Sequence, residues 1–285
     1  MLYRRSPILI EPLEPRRLLA AAYPTDLEQY ELELINRARA NPAAEAARYG
    51  IDLNEGLAPG TISTAAKPPL AINPFLTDGA RTHSQWMLST DTFSHTGAGG
   101  ASPDQRMSAA GYTFVAPSAW SENIAWRSFI TPSITPDLAA RLQQDLFVDT
   151  GIDGRGHRTS MTNNAFREIG VGMLSGSFHL FTKAAMLTTD FASTAGSAFV
   201  TGVVYTDSVT ADSFYTPGEG FAGVTLTARR TSDNALFSTT SFPSGGYSLQ
   251  LAPGNYSVTA SGGALAQSIN ISSITIGTEN VKQDF

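Results

Sequence analysis

The hydrophobic pattern of this chain changes period once, near Ser193. That change divides the fold into a region of helices and strands followed by a region of strands alone. Beyond it, "FVTGVVY", "AGVTLTARR", "LFSTTSF", "YSLQL", "NYSVTAS" and "QSINISSITI" alternate in the strand manner, punctuated by turn residues at Pro243 to Gly246 and at Pro253-Gly254. Roughly 90 residues of short, evenly spaced strands predict one small β-sandwich. Before it, Thr25 and Glu28 have capping-box spacing, and Leu27, Leu34, Ile35 and Ala38 follow at helical periodicity. Asn41-Pro42 reads as an N-cap and first-turn proline, so a second helix closes at Gly50. The glycine-, proline- and hydroxyl-rich stretch from Gly50 to Asn73 predicts a long surface loop. A third helix fits "PFLTDGARTHSQWMLSTD" and a fourth fits Thr135 to Asp149. "FREIGVGML" and "SFHLFTKAAML" read as strands pairing across an "SGS" turn.

With 285 residues the chain can bury two cores. The expected division is an arm at 1–24, a mixed domain at 25–192, a linker at 193–198 and a β-sandwich at 199–285. A formal net charge of −6 excludes broad attraction to nucleic acid or anionic lipid, which needs clustered cations. No cysteine is present, so any metal must be held by His, Asp or Glu. Disulfides are permitted outside the cell and not required there, so their absence leaves export open. No run reaches the roughly 18 apolar residues of a membrane span.

Two of the four histidines, His95 in "TFSHTG" and His157 in "GRGHRTS", lie among small and hydroxyl residues where a core would supply bulk. If they meet in space, they form a site. On the helix of Leu138 to Asp149, Asp145 and Asp149 share the stripe of Leu138, Leu142 and Leu146. Inward carboxylates must be paired, hydrogen-bonded or metal-bound; alternatively the helix ends before Asp149 and that residue caps the loop. Glu122 lies in "WSENIAW", where Trp120 and Trp126 are expected to exclude water around it. There is no G-x-S-x-G nucleophile elbow and no convincing Ser-His-Asp set. "GAGG" at Gly97 to Gly100 lacks the flanking elements of a phosphate loop and reads as a loop beside the cleft.

"FSHTG", "SENIAW", "GRGHRTSM" and "FREIGVGM" occur in the order and approximate spacing of the CAP superfamily, which includes the cysteine-rich secretory, antigen 5 and pathogenesis-related proteins. The resemblance spans Leu27 to Asp190 and is closest to cysteine-free bacterial members. It implies an α+β chain: a three-layer α-β-α sandwich, followed here by a small immunoglobulin-like or prealbumin-like all-β sandwich. It also implies a cleft tetrad of His95, Glu122, Asp149 and His157, with Asp145 in reserve for Asp149, able to hold a divalent metal such as zinc. His83 is expected behind the site or in a structural role, Glu168 as an ion-pair partner for Arg158 or Arg167, and His179 within a strand.

The carboxy-terminal segment resembles the carboxypeptidase-regulatory and serine-aspartate-repeat B-type modules, whose relatives bind calcium. Asp207, Asp212 and Glu219 would supply such a site. Val209 and Ala211 offer no side-chain oxygen, so the expected calcium affinity is weak. At the amino terminus, "LEPRRLLAAA" resembles the LEPR-xLL motif of large exported bacterial proteins, which implies export; the other reading is an uncleaved arm.

Three functions follow as expectations. The first is an exported, non-catalytic protein whose cleft binds a small, lipid-like or protein ligand, with the sandwich as spacer. The second is a metal-dependent hydrolase with Glu122 as general base on a metal-bound water. The third is a structural or adhesive surface protein in which the first domain is scaffold.

Overall fold

The computed structural model describes residues 23–196 and 198–285. The LEPR-type motif and residues 1–22 of the expected arm lie outside the described residues.

Local signals set the helix starts. In α1 (Asp26–Ala40) Glu28 N–H donates to Thr25 Oγ1 at 3.3 Å and Thr25 N–H donates to Glu28 Oε2 at 2.8 Å, the reciprocal capping box. Asn41 caps α2 (Pro42–Arg48) by accepting from Ala44 N–H at 3.1 Å, and Asn73 caps α3 (Pro74–Thr90). α4 (Pro103–Ala109) was not foreseen; it is opened by Ser102 and Pro103 and closes before Gly111, whose φ is +108°. α5 (Pro136–Val148) and α6 (Gly156–Met161) complete the helices.

Four strands form the first sheet: β1 (Ala71–Ile72), β2 (Ala119–Ser128), β3 (Glu168–Phe178) and β4 (Phe181–Ser193), in the order β1-β3-β4-β2. β1 runs parallel to β3, the other pairs are antiparallel, and β2 is an edge strand. α3 lies on one face, while α1 and α5 cover the other and enclose a core that includes Leu32, Ile35, Leu142, Phe147, Val171 and Phe191. The expected turn at "SGS" is corrected: β3 runs straight through Ser175 to Ser177, and the chain reverses at His179-Leu180, with His179 at φ 50°. The glycines of β3 serve close packing. A Cβ on Gly170 would lie 2.0 Å from the Leu76 carbonyl carbon, and one on Gly172 would lie 2.3 Å from Arg81 N, so α3 rests directly on the strand backbone. The expected surface loop also hides structure. Leu53, Ile62 and Leu70 are buried, and Asn36 holds both backbone groups of Leu70 at 2.8 and 3.1 Å, delivering the chain into β1.

The second region is all β. Its strands are β5 (Ala198–Val203), β6 (Thr225–Arg230), β7 (Leu236–Thr240), β8 (Gly246–Leu251), β9 (Gly254–Ser261), β10 (Ile269–Ile276) and β11 (Val281–Lys282). They form sheets β10-β9-β6-β7 and β11-β5-β8 around one cluster that includes Val200, Leu226, Tyr247, Tyr256 and Val258. This region is joined to the first by specific contacts. Asn280 Nδ2 donates to the carbonyls of Pro69 and Arg167 at 3.0 and 2.6 Å, Ser248 Oγ donates to Ile72 O at 3.1 Å, and Lys282 Nζ lies 3.0 Å from Glu33 Oε2. α1 therefore has neighbours on both sides, which is how it comes to bury Glu28, Glu33 and Arg39.

Gly172→Ala is expected to lower stability by about 3 kcal/mol or more, because backbone must move to admit the methyl. Gly176→Ala meets only Leu88 side-chain atoms, the nearest at 3.3 Å, and should cost less; urea unfolding of both variants reads the difference. Glu31 is wholly buried with neither oxygen hydrogen-bonded, and burial pushes its carboxyl up to about 8. The unfolded chain therefore loses this proton at lower pH than the folded one, and stability falls as pH rises from about 4.5 to about 8. Glu31→Gln should flatten that fall in urea titrations repeated across the window.

Candidate functional site

The cleft straddles the edge strand β2, taking one histidine–carboxylate pair from each side of the sheet. Even-numbered side chains of β2 point to the α3 side. There the segment after α3 brings His95 Nδ1 to 2.8 Å from Glu122 Oε1, and Arg106 of α4 pairs with Glu122 Oε2. Arg106 Nη1 also donates to the carbonyls of His95 and Ala101 at 2.8 and 2.9 Å, so one guanidinium fixes both the acid and the loop carrying the imidazole.

Odd-numbered side chains point to the α5 and α6 side. Asn123 Nδ2 donates to His157 O at 3.1 Å, and the Ser121 and Ser160 hydroxyls meet at 2.7 Å. α5 ends at Val148 and Asp149 takes a left-handed conformation, φ 57°. Both readings of Asp149 therefore hold. Its Oδ2 accepts from the N–H groups of His157 and Arg158 at the start of α6, and its Oδ1 lies 2.7 Å from His157 Nδ1. Asp145 does not turn inward. It is half-exposed and pairs with Arg127, whose Nη2 lies 2.6 Å from Oδ1.

The centroids of the His95 and His157 rings are 6.4 Å apart. Their side chains are 51 and 18% exposed, against 1% for both Glu122 and Asp149, so the imidazoles face the cleft and the acids stand behind them. A carboxylate can only accept, so each Nδ1 carries the proton, and each Nε2 is left with no hydrogen bond from the described residues. Among the described residues no three His, Asp or Glu side chains form a ready-made metal cluster.

Behind Glu122 lies Asp190, its cross-strand neighbour on β4, fully buried and with neither oxygen hydrogen-bonded. Burial, reinforced by the Glu122 charge, raises its carboxyl well above the ordinary range, so at neutral pH it is a protonated acid. His83 stacks on Trp86, donates Nε2–H to Ser94 O at 2.9 Å and lies 3.9 Å from Glu122. Burial lowers its pKa, and it supports the loop rather than entering the cleft.

Three sequence expectations are corrected here. Glu168 has no arginine partner; Asn73 Nδ2 and Tyr112 O–H donate to it at 2.7 Å each. His179 lies at the β3–β4 turn beside Trp126 and Asp91. Trp120 is exposed, and Arg106 and His95 cover Glu122 instead. In the second region Asp207 accepts from the N–H groups of Asp212 and Ser213, Asp212 from Phe214, and Glu219 from Val209, Thr210 and Thr216. These carboxylates staple their own loop.

The profile of the cysteine-rich secretory protein family, CAP, matches residues 32–189, more than half of the chain. This chain belongs to the CAP family. No curated protein sequence matches it. Among solved structures, it is similar to an extracellular protein containing an SCP domain from Bacillus anthracis, at 21% identity over 57% of this chain and 40% of that one, with a TM-score of 0.34. It is also similar to an outer surface protein from Borrelia burgdorferi, at 15% identity over 58% of this chain and 93% of that one, with a TM-score of 0.37. The chain thus spans well under two thirds of the Bacillus protein. No helix among the described residues is long and apolar enough to cross a membrane.

The CAP-domain residue that sequence reasoning missed is Arg106. It sits on a seven-residue helix without periodicity, and its only sequence signal is the Ser-Pro helix start before it. Arg106→Ala should destabilise the domain by about 3–5 kcal/mol, since Glu122 then stands buried without its cation beside Asp190. Asp190→Asn replaces a protonated acid by its neutral isostere and should unfold near the wild-type urea midpoint at neutral pH.

Proposed function

We propose that this is an exported CAP-family protein whose cleft binds a divalent cation, zinc by its donor set, through Nε2 of His95 and Nε2 of His157, and holds a ligand there rather than catalysing a reaction. The observation that carries this is the double lock of each Nδ1 on a buried carboxylate, the arrangement that fixes the tautomer of metal-binding histidines and raises their basicity. Neutral imidazole suits zinc. A tetrahedral ion at about 2 Å from each nitrogen would set the ring centroids about 5 Å apart, so the observed 6.4 Å asks for a modest approach of the half-exposed His95. Two protein ligands leave the remaining positions to solvent or to a bound group.

Binding is favoured over hydrolysis by the state of the acids. Glu122 is engaged by His95 and Arg106, Asp149 by His157 and two backbone N–H groups, and both are almost wholly shielded. Neither is free to take a proton from a water in the cleft. Export rests on the LEPR-xLL resemblance and on the secretory character of the family. The β region is assigned the part of a prealbumin-like spacer. A calcium ion at Asp207, Asp212 and Glu219 would first have to displace the backbone N–H groups that these carboxylates accept.

Isothermal titration of the full chain with zinc tests the proposal. One ion per chain is expected, lost in the His95→Ala, His157→Ala double variant and weakened about 10-fold or more by Asp149→Asn. A folded wild-type chain that takes up no zinc refutes it.

A further inference from the structure

The cleft does not end at the histidines. From His157 and Asp149 a groove of about 620 Å³ continues along β2 from Ile124 to Arg127. Phe93, from the α3 side, forms one wall, and Arg141, Gln144 and Asp145 of α5 form the other. Its floor is the open edge of the sheet, because β2 pairs with β4 alone.

The register fixes what that edge presents. Phe129 N–H donates to Lys183 O at 3.1 Å, and Ser128 stands opposite Ala184, so Phe129 and Lys183 are a hydrogen-bonded pair. Counting back by twos, Arg127 and Ala125 spend their backbone groups on β4. Ile124 and Trp126 therefore aim N–H and C=O into the groove. No hydrogen bond from the described residues outside the ladder reaches those groups. β2 also carries neither proline nor lysine, the usual devices that keep an edge from being joined.

Resting on the reading of the cleft as a binding site, we infer that β2 receives an extended polypeptide strand from a partner, which adds to the sheet edge and runs from between the two histidines toward Arg127. The walls specify its chemistry. Alternate side chains of an added strand fall on opposite faces. One set meets Phe93 and Trp126 and is apolar or aromatic. The other meets the Arg127–Asp145 pair and Arg141, and is charged to complement them. A compact ligand would use the walls and leave the backbone floor unpaired; a strand satisfies both.

The test uses the full chain and a set of capped octapeptides in which Phe or Val alternates with Lys or Glu, each also made with N-methyl groups on one or the other alternate set of amides. Binding is followed by fluorescence polarisation, and amide exchange by NMR, in EDTA and with zinc. At least one peptide should bind and slow exchange of the Ile124 and Trp126 amides about tenfold or more, while the Ala125 and Arg127 amides are already slow in the free chain. N-methylation in one phase should abolish binding, and in the other leave it intact. The inference is overturned if no peptide of the set binds below about 1 mM, or if binding ignores the N-methyl phase and leaves both groove amides fast. Zinc uptake without peptide binding sinks this inference alone. Peptide protection that persists in EDTA, in a chain that takes no zinc, supports it and sinks the cation reading.

Discussion

Glu122 enters the middle of β2 with its side chain almost wholly out of water, and an ionised carboxylate survives there only because its surroundings supply charge and hydrogen bonds together. Arg106 supplies the charge, His95 the second hydrogen bond, and Asp190 avoids adding a second anion by holding its proton. The placement of α4, the path of the loop after α3 and the orientation of the His95 ring all answer to that one side chain. On the opposite side of β2, Asp149 does comparable work by other means. It caps α6 and holds His157 with the same carboxylate, so the second imidazole is set by the backbone turn that ends α5.

Two helical layers thus deliver their histidines to the rim of an edge strand. That placement makes the cleft both a pair of free ring nitrogens and the mouth of a groove floored by main-chain donors and acceptors. The β region enters the account through α1. By covering the outer side of that helix and pairing Lys282 with Glu33, it allows a helix dense in charged residues to be buried on both sides.

What could be read from the sequence was what is decided over three or four residues. Thr25 with Glu28, Asn41-Pro42 and the period-two runs after Ser193 each carry their own hydrogen-bonding or packing logic, and each element formed as the pattern predicts. Features that failed to be read depend on partners distant in sequence. A glycine in "SGS" signals a turn locally, but in β3 it answers to a helix lying on the strand. A helical stripe places Asp145 and Asp149 together, yet cannot show that the sheet ends beside Asp145, where Arg127 reaches out to meet it. Motif order was enough to gather His95, Glu122, Asp149 and His157, whereas Arg106 has no motif of its own and is visible only once α4 is folded against β2.

The account depends most on both cleft imidazoles being held as Nδ1–H tautomers, with Nε2 unprotonated and open. Long-range nitrogen–proton correlation spectra of ¹⁵N-histidine-labelled full chain, in EDTA at a pH where the rings are neutral, report the tautomer of each ring directly. Cross-peak patterns of the Nδ1–H form for both His95 and His157, with His157 alone released by Asp149→Ala, are the predicted result. An Nε2–H pattern at either ring in the wild-type chain would contradict the carboxylate lock and, with it, the reading of the cleft.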